Sequence, residues 1–139
     1  MDAEELCRRY AAGERDFHGV DLSGVNLEEV CLEEINLEGA DLKGTLFFRC
    51  NLRGAIFRNA NLEGADLSMT LLNETDFRGA NLTSCRTLEC SMIRANFQDA
   101  RDNGMIWDGY TYNTVLPDGR VVSDPDPERD RQIAEGYEF

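Results

Sequence analysis

The sequence predicts an all-β solenoid in which short extended segments, joined by tight corners, wind into square coils that stack on one another. Large apolar residues recur at every fifth position, in sixteen of the seventeen repeats between Phe17 and Phe97. Small or β-branched residues stand two positions before them in every repeat after the first. Glycine ends seven of the repeats, at positions 19, 24, 39, 44, 54, 64 and 79.

A five-residue period fits neither regular secondary structure. Five steps of about 100° spread the large residues around a whole α-helix, and an odd period sends them to alternate faces of a strand. Each repeat is therefore a short extended piece followed by a corner. Within it the small and the large residue, two apart, point inward together, and the glycines mark the corners because they readily adopt positive φ.

Corners near 90° close after four repeats, so residues 20 apart share a column and neighbouring coils lie ~4.8 Å apart. Seventeen repeats then stack to roughly 20 Å. One column of large inward residues contains Phe17, Leu37, Phe57, Phe77 and Phe97. One corner column, formed by Glu29, Arg49, Met69 and Glu89, has no glycine, which predicts different turn types on different sides of the square.

The repeats resemble those of the pentapeptide repeat proteins, whose pattern is Ala-(Asp/Asn)-Leu-x-x. That pattern is matched by Ala40-Asp41-Leu42, Ala60-Asn61-Leu62, Ala65-Asp66-Leu67 and Ala80-Asn81-Leu82. The resemblance covers residues 15–99 and implies a right-handed quadrilateral β-helix of about four coils. The flanking segments 9–17 and 113–119 resemble those of cyanobacterial members.

Both ends of the stack need a cover, because a terminal coil exposes apolar side chains and unpaired backbone. Residues 1–14 are predicted to form an N-terminal cap whose helix, over 2–12, begins with a capping box of Asp2 and Glu5. Residues 100–122 form a C-terminal cap with a hairpin that turns at Pro117-Asp118-Gly119. Residues 123–139 form an acidic tail with a short helix at 128–135.

Charge and composition exclude several classes of protein. The net charge of −13 disfavours a binder of nucleic acid, and no apolar run approaches the ~20 residues that span a membrane. The acidic start is unlike a signal peptide, so a cytoplasmic location is expected. Five cysteines without a CxxC spacing and one histidine predict neither a disulfide framework nor a zinc site. Cys50, Cys85 and Cys90 occupy small inward positions, which leaves Cys7 and Cys31 as the candidate reactive thiols.

No catalytic residue, cofactor site or metal site is predicted, and the chain is not expected to be an enzyme. It contains no G-x-S-x-G, Walker A or G-x-G-x-x-G motif, and the filled inner positions leave no cavity in the shaft. His18 is expected to form an exposed pair with Glu38. The acidic residues at 124, 126, 128 and 130 are interpreted as a solvated linker, since prolines interrupt the spacing of a calcium loop.

The outer surface carries the remaining signal. Cross-coil ion pairs are predicted for Glu29 with Arg49, Glu33 with Arg53, and Glu38 with Arg58. A contiguous apolar patch at outward positions supplies the candidate partner-binding residues, which are Leu46, Phe48, Met69, Leu71, Leu88 and Ile93. Such a patch marks either a surface for a protein partner or the docking site of the chain's own tail.

Two functions follow. The first is a non-catalytic scaffold that binds an unidentified protein, with no nucleic acid or membrane as partner. The second, which the family resemblance implies, is mimicry of DNA to inhibit a type II topoisomerase. Length disfavours the second, because ~20 Å of shaft spans only about six base-pair steps. The basic residues between Lys43 and Arg58 also interrupt the acidic surface.

Overall fold

A computed structural model describes residues 1–124, and the expectations for the acidic residues at 126, 128 and 130 and for a helix at 128–135 lie outside them. The chain begins with helix α1 (Ala3–Ala11). The described residues also contain four strands, which are β1 (Arg86–Ser91), β2 (Ile106–Tyr110), β3 (Thr114–Val115) and β4 (Val121–Val122). No helix of this part of the chain is long and apolar enough to cross a bilayer.

Between α1 and β1 the chain forms single parallel bridges rather than long strands. Each bridge joins residues 20 apart, in four columns that start at Asp16, Asp21, Asn26 and Cys31. Backbone hydrogen bonds connect the coils, as where the Phe17 amide donates to the Asn36 carbonyl at 2.8 Å. The twenty-residue coil predicted from the period is therefore the repeating unit of the structure.

The core is the column of inward side chains along the axis of the stack. Phe57 and Phe77 stack with ring centroids 4.8 Å apart, and Phe77 and Phe97 with centroids 4.7 Å apart. These separations match the ~4.8 Å spacing of paired strands. Thr87, the one polar member of the large series, is fully buried, and its hydroxyl donates to the Ile106 carbonyl at 2.6 Å.

Every corner adopts the left-handed conformation, whether or not glycine occupies it. Each fifth residue from Gly19 to Gly104 has a positive φ, including Glu29 (61°) and Met69 (55°). The column without glycine therefore shares the φ sign of the glycine columns. The turn at Glu29 differs from that at Gly24 in hydrogen bonding, since the Val25 amide donates to the Leu22 carbonyl at 3.1 Å, whereas no such bond joins Val30 to Leu27. The outward Asp or Asn supports the corner, as where Asp21 Oδ1 accepts the Ser23 amide at 2.9 Å.

The N-terminal end of the stack is covered by α1. The Asp2 carboxylate accepts the Glu5 amide at 2.9 Å, as a helix N-cap does. Leu6 on the inner face is fully buried in the core. The Tyr10 hydroxyl donates to the Glu33 carbonyl at 2.8 Å, which ties the last turn of α1 to the first coils.

At the C-terminal end the stacking continues beyond residue 99. Parallel bridges join Asn81 to Arg101 and Asn96 to Val115, and β2 pairs with β1 in parallel. The register between β1 and β2 changes from 20 to 19 residues at an irregularity between Leu88 and Cys90. The last coil is thus one residue short; β3 closes it, and β4 pairs with β3 in an antiparallel hairpin.

Candidate functional site

Ion pairs on the outer surface differ from those that column stacking predicts. Glu38 and Arg58 lie 3.6 Å apart, as expected. Within residues 1–124, however, neither Glu29 with Arg49 nor Glu33 with Arg53 approaches within 4.0 Å. Other contacts of Arg49 and Glu33 replace them. The Arg49 guanidinium lies 5.8 Å from the centroid of the neighbouring Phe48 ring. Glu33 Oε1 accepts a hydrogen bond from the side-chain Nδ2 of Asn51 at 2.6 Å.

His18 pairs with Asp16 rather than with Glu38. Its Nδ1 lies 2.8 Å from Asp16 Oδ1, two residues earlier in the chain. The hydrogen bond to Asp16, with a smaller contribution from the charge of Glu38, raises the pKa of His18. The pair is exposed and no nucleophilic side chain is bonded to the ring, so the arrangement is that of a surface ion pair.

Three of the cysteines in the coils behave as small core residues, whereas Cys31 is exposed. Cys50, Cys85 and Cys90 are buried and all five cysteines are free thiols. Burial raises the pKa of Cys50 to about 11 and that of Cys90 to about 12. Both thiols donate to carbonyls of the coil below, Cys50 to Leu27 at 2.7 Å and Cys90 to Leu67 at 2.6 Å. Within the described residues no cluster of His, Cys, Asp and Glu is arranged to hold a metal ion.

The candidate partner-binding residues separate into two groups. Leu46, Phe48, Met69 and Leu88 lie on one side of the square and are partly exposed. Leu71 and Ile93 lie on the next side and are only 9% and 5% exposed. These two do not have the outward exposure expected of them.

The burial of Ile93 has a visible cause. Its side chain packs against Tyr110 and Tyr112 of the last coil. The short register of that coil brings these two tyrosines beside Ile93, as the pairing of Ser91 with Tyr110 shows.

Sequence reasoning missed one member of the exposed side. Ile106 is 43% exposed and continues the bridge column that runs through Leu46, Asp66 and Arg86. Counting on by 20 from Leu46 would have found it. We call the resulting surface the apolar face; it consists of Leu46, Phe48, Met69, Leu88 and Ile106.

The apolar face is held rigidly by the backbone beneath it. The Met69 amide donates to the Leu88 carbonyl at 2.7 Å, and the Glu29 amide to the Phe48 carbonyl at 2.9 Å. Successive coils lie ~4.8 Å apart, so the apolar face runs across four coils over roughly 15 Å. A surface of this kind can bury apolar area of a partner without rearranging its own backbone.

Comparison with known proteins agrees with this architecture. A family model described as pentapeptide repeats matches eight copies over residues 16–39, 31–68 and 70–101. No protein in a set of curated sequences matches the chain.

Several solved structures are similar. One is QnrB1, a plasmid-mediated fluoroquinolone resistance protein, with 25% identity and a TM-score of 0.57 over 73% of this chain and 55% of that one. Another is HetL, involved in heterocyst differentiation regulation in the cyanobacterium Nostoc sp. strain PCC 7120, with 17% identity and a TM-score of 0.38 over 88% of this chain and 100% of that one. A third is alr5209 from Nostoc PCC 7120, with 30% identity and a TM-score of 0.34 over 92% of this chain and 91% of that one. With eight repeat copies matched across most of the coiled region, the chain belongs to the pentapeptide repeat family.

Proposed function

We propose that this protein is a non-catalytic scaffold of the cytoplasm, a right-handed quadrilateral β-helix that binds a protein partner through its apolar face. The observation that carries the proposal is the set of five partly exposed apolar side chains on one side of the stack, with Asp66 and Arg86 lying between Leu46 and Ile106. Apolar side chains clustered on an exposed surface among polar ones are characteristic of interaction sites. Free thiols are in keeping with a reducing compartment.

A pull-down with matched variants tests the scaffold. Phe48→Asp places a charge on the apolar face, whereas Gln98→Asp places the same charge at an exposed position on another side. We expect wild type and Gln98→Asp to capture the same protein from a lysate of the source organism and Phe48→Asp to lose it, with all three melting within about 0.5 kcal/mol equivalent of one another. Equal capture by both variants would contradict the role of the apolar face.

The second candidate, a DNA mimic that inhibits a type II topoisomerase, is favoured by the net charge of −13 and by the similarity to QnrB1. The short shaft and the basic residues Lys43, Arg49, Arg53 and Arg58 weigh against it. A DNA supercoiling assay distinguishes the two candidates. The scaffold predicts no inhibition, whereas mimicry predicts inhibition that is relieved by neutralising Glu28, Glu29, Glu33 and Glu34 and is insensitive to Phe48→Asp.

A further inference from the structure

The last coil departs from the repeat at its inward positions. In the coil below, the four large inward positions hold Leu82, Thr87, Met92 and Phe97. The backbone pairing between the two coils identifies their counterparts one coil higher. It joins Asn81 to Arg101, Thr87 to Trp107, Ser91 to Tyr110 and Asn96 to Val115. Those counterparts are Asp102, Trp107, Thr111 and Leu116. A carboxylate and a threonine thus replace side chains that would fill the centre of the coil.

This replacement leaves a cavity of about 510 Å³ at the C-terminal end of the stack. The residues that shape it include Met92, Asp102, Trp107, Thr111, Leu116 and Arg120. Its volume lies within the range of roughly 300–1,000 Å³ typical of small-ligand sites. The cavity is separate from the apolar face, and nothing in the scaffold proposal uses it.

The polar and aromatic groups of the cavity are held in place. Trp107 packs edge-on against Phe97, with ring centroids 4.9 Å apart and planes at 75°. Its indole Nε1 donates to Asp102 Oδ2 at 3.3 Å, so the ring and the carboxylate lie side by side. Arg120, at the rim, is paired with Asp118 at 2.6 Å. That pair neutralises itself, which leaves Asp102 in the cavity and Asp124, whose carboxylate accepts the Thr111 amide at 3.0 Å, as the acidic groups beside it.

We propose that this end cavity binds an organic cation, a guanidinium or alkylammonium group on a short apolar stem, with the charge at Asp102 and the stem against Trp107. A carboxylate favours a cation by direct, charge-assisted hydrogen bonding, and the indole beside it offers an apolar surface for the stem. A neutral apolar ligand would remove water from the carboxylate without replacing its hydrogen bonds, which is costly. The net charge of −13 adds a long-range attraction for cations.

Trp107 is the only tryptophan of the chain, so its fluorescence reports on the cavity directly. The test is to titrate the 139-residue chain with n-butylguanidinium and, separately, with n-butylurea, a neutral molecule of similar shape. With the cation we expect a saturable change in Trp107 fluorescence. The concentration of n-butylguanidinium that gives the half-maximal change should be at least tenfold lower than that of n-butylurea. Equal responses to the two compounds, or no response to either, would overturn the proposal.

Two matched variants test the role of the carboxylate. Asp102→Asn should weaken n-butylguanidinium binding at least tenfold, whereas Asp108→Asn, which removes an exposed charge from the same coil, should leave it unchanged. Equal losses in both variants would mean general charge attraction and overturn the site. Asp102→Leu places an apolar side chain above Leu82, as in the coils below. It should therefore abolish the fluorescence change and raise the melting temperature. Retained binding in that variant would also overturn the proposal.

The cation could be a free small molecule or an arginine side chain of a protein. Acetyl-Gly-Arg-Gly-amide distinguishes these sources in the same assay. Tighter binding of the peptide than of n-butylguanidinium would identify a protein side chain as the ligand, and weaker binding a free small molecule. In either case the response must be lost in Asp102→Asn; a response that survives this substitution would contradict the site.

Discussion

The single histidine of the chain gives a direct residue-level test. Because Asp16 raises the pKa of His18 above its ordinary value of 6.5, the pair contributes stability fully below that value. The contribution is lost as the pH rises through the raised pKa. We expect an NMR titration of the His18 ring to give a midpoint above 6.5, and Asp16→Asn to move that midpoint down. A midpoint unaffected by Asp16→Asn would contradict the pairing.

The five thiols should differ in reactivity. Cys31 is exposed and should react first with a thiol-specific reagent, whereas Cys50, Cys85 and Cys90 should react only on unfolding, since burial raises their pKa values. Because the native protein needs no disulfide, dithiothreitol should leave the melting temperature unchanged. A fall of more than a few degrees, or rapid native-state labelling of Cys90, would contradict this account.

Residue roles were predictable where they follow from burial and were missed where they depend on local geometry. The period alone identifies Leu62 and Cys90 as inward residues, because a column position fixes the direction of a side chain. It does not show that Asp21 accepts the Ser23 amide, since that bond depends on the dihedral angles of the corner. Column stacking also predicted an ion pair between Glu33 and Arg53. The structure instead has a hydrogen bond from the Asn51 side-chain amide to Glu33, which column position alone does not reveal.

At the scale of one repeat, the core leucines should dominate stability. Leu62 lies in the middle of the stack and is fully buried, so Leu62→Ala should leave a cavity and cost about 2–5 kcal/mol. The matched change Leu46→Ala, on the partly exposed apolar face, should cost clearly less. Urea denaturation measures both. Equal effects of the two substitutions would contradict the core position of Leu62.

The corners give a second test at this scale. Gly24 has a φ of 69°, and a Cβ added there would meet no atom within 4 Å. Gly24→Ala should therefore destabilise the protein through backbone strain alone, by about 1 kcal/mol. Gly24→Asn should cost less, because asparagine tolerates this conformation better. Chemical denaturation that shows alanine to be as stable as glycine would contradict the left-handed corner.

Among the larger elements, the repeat was predictable and its irregular end was not. Five-residue spacing identifies coils of 20 because each repeat carries the same inward pair. Two repeats after Trp107 the large inward residue is Leu116, nine residues on instead of ten. Nothing in the sequence around Gly109 and Thr111 marks the position at which the coil is one residue shorter. The shift became visible only through the pairing of β1 with β2. The burial of Ile93 and the end cavity both depend on this last coil.

For the whole molecule, far-ultraviolet circular dichroism should be of the β type, with a small helical contribution from the nine residues of α1. The reason is that the coils from residue 16 onward are linked by parallel bridges rather than by helical hydrogen bonds. A spectrum dominated by helix would contradict the architecture itself.

The bridges between residues 20 apart in four columns also govern how genes for such proteins can change. Duplication of one whole coil lengthens the rod by a single step and leaves every side of the square in alignment. Insertion of a single repeat instead rotates everything beyond it by a quarter turn. Placed between Phe48 and Leu88, such an insertion would move Leu88 and Ile106 to the adjacent side and divide the apolar face in two. Evolution can therefore vary the length of this molecule in units of a coil, while smaller insertions redistribute its surface.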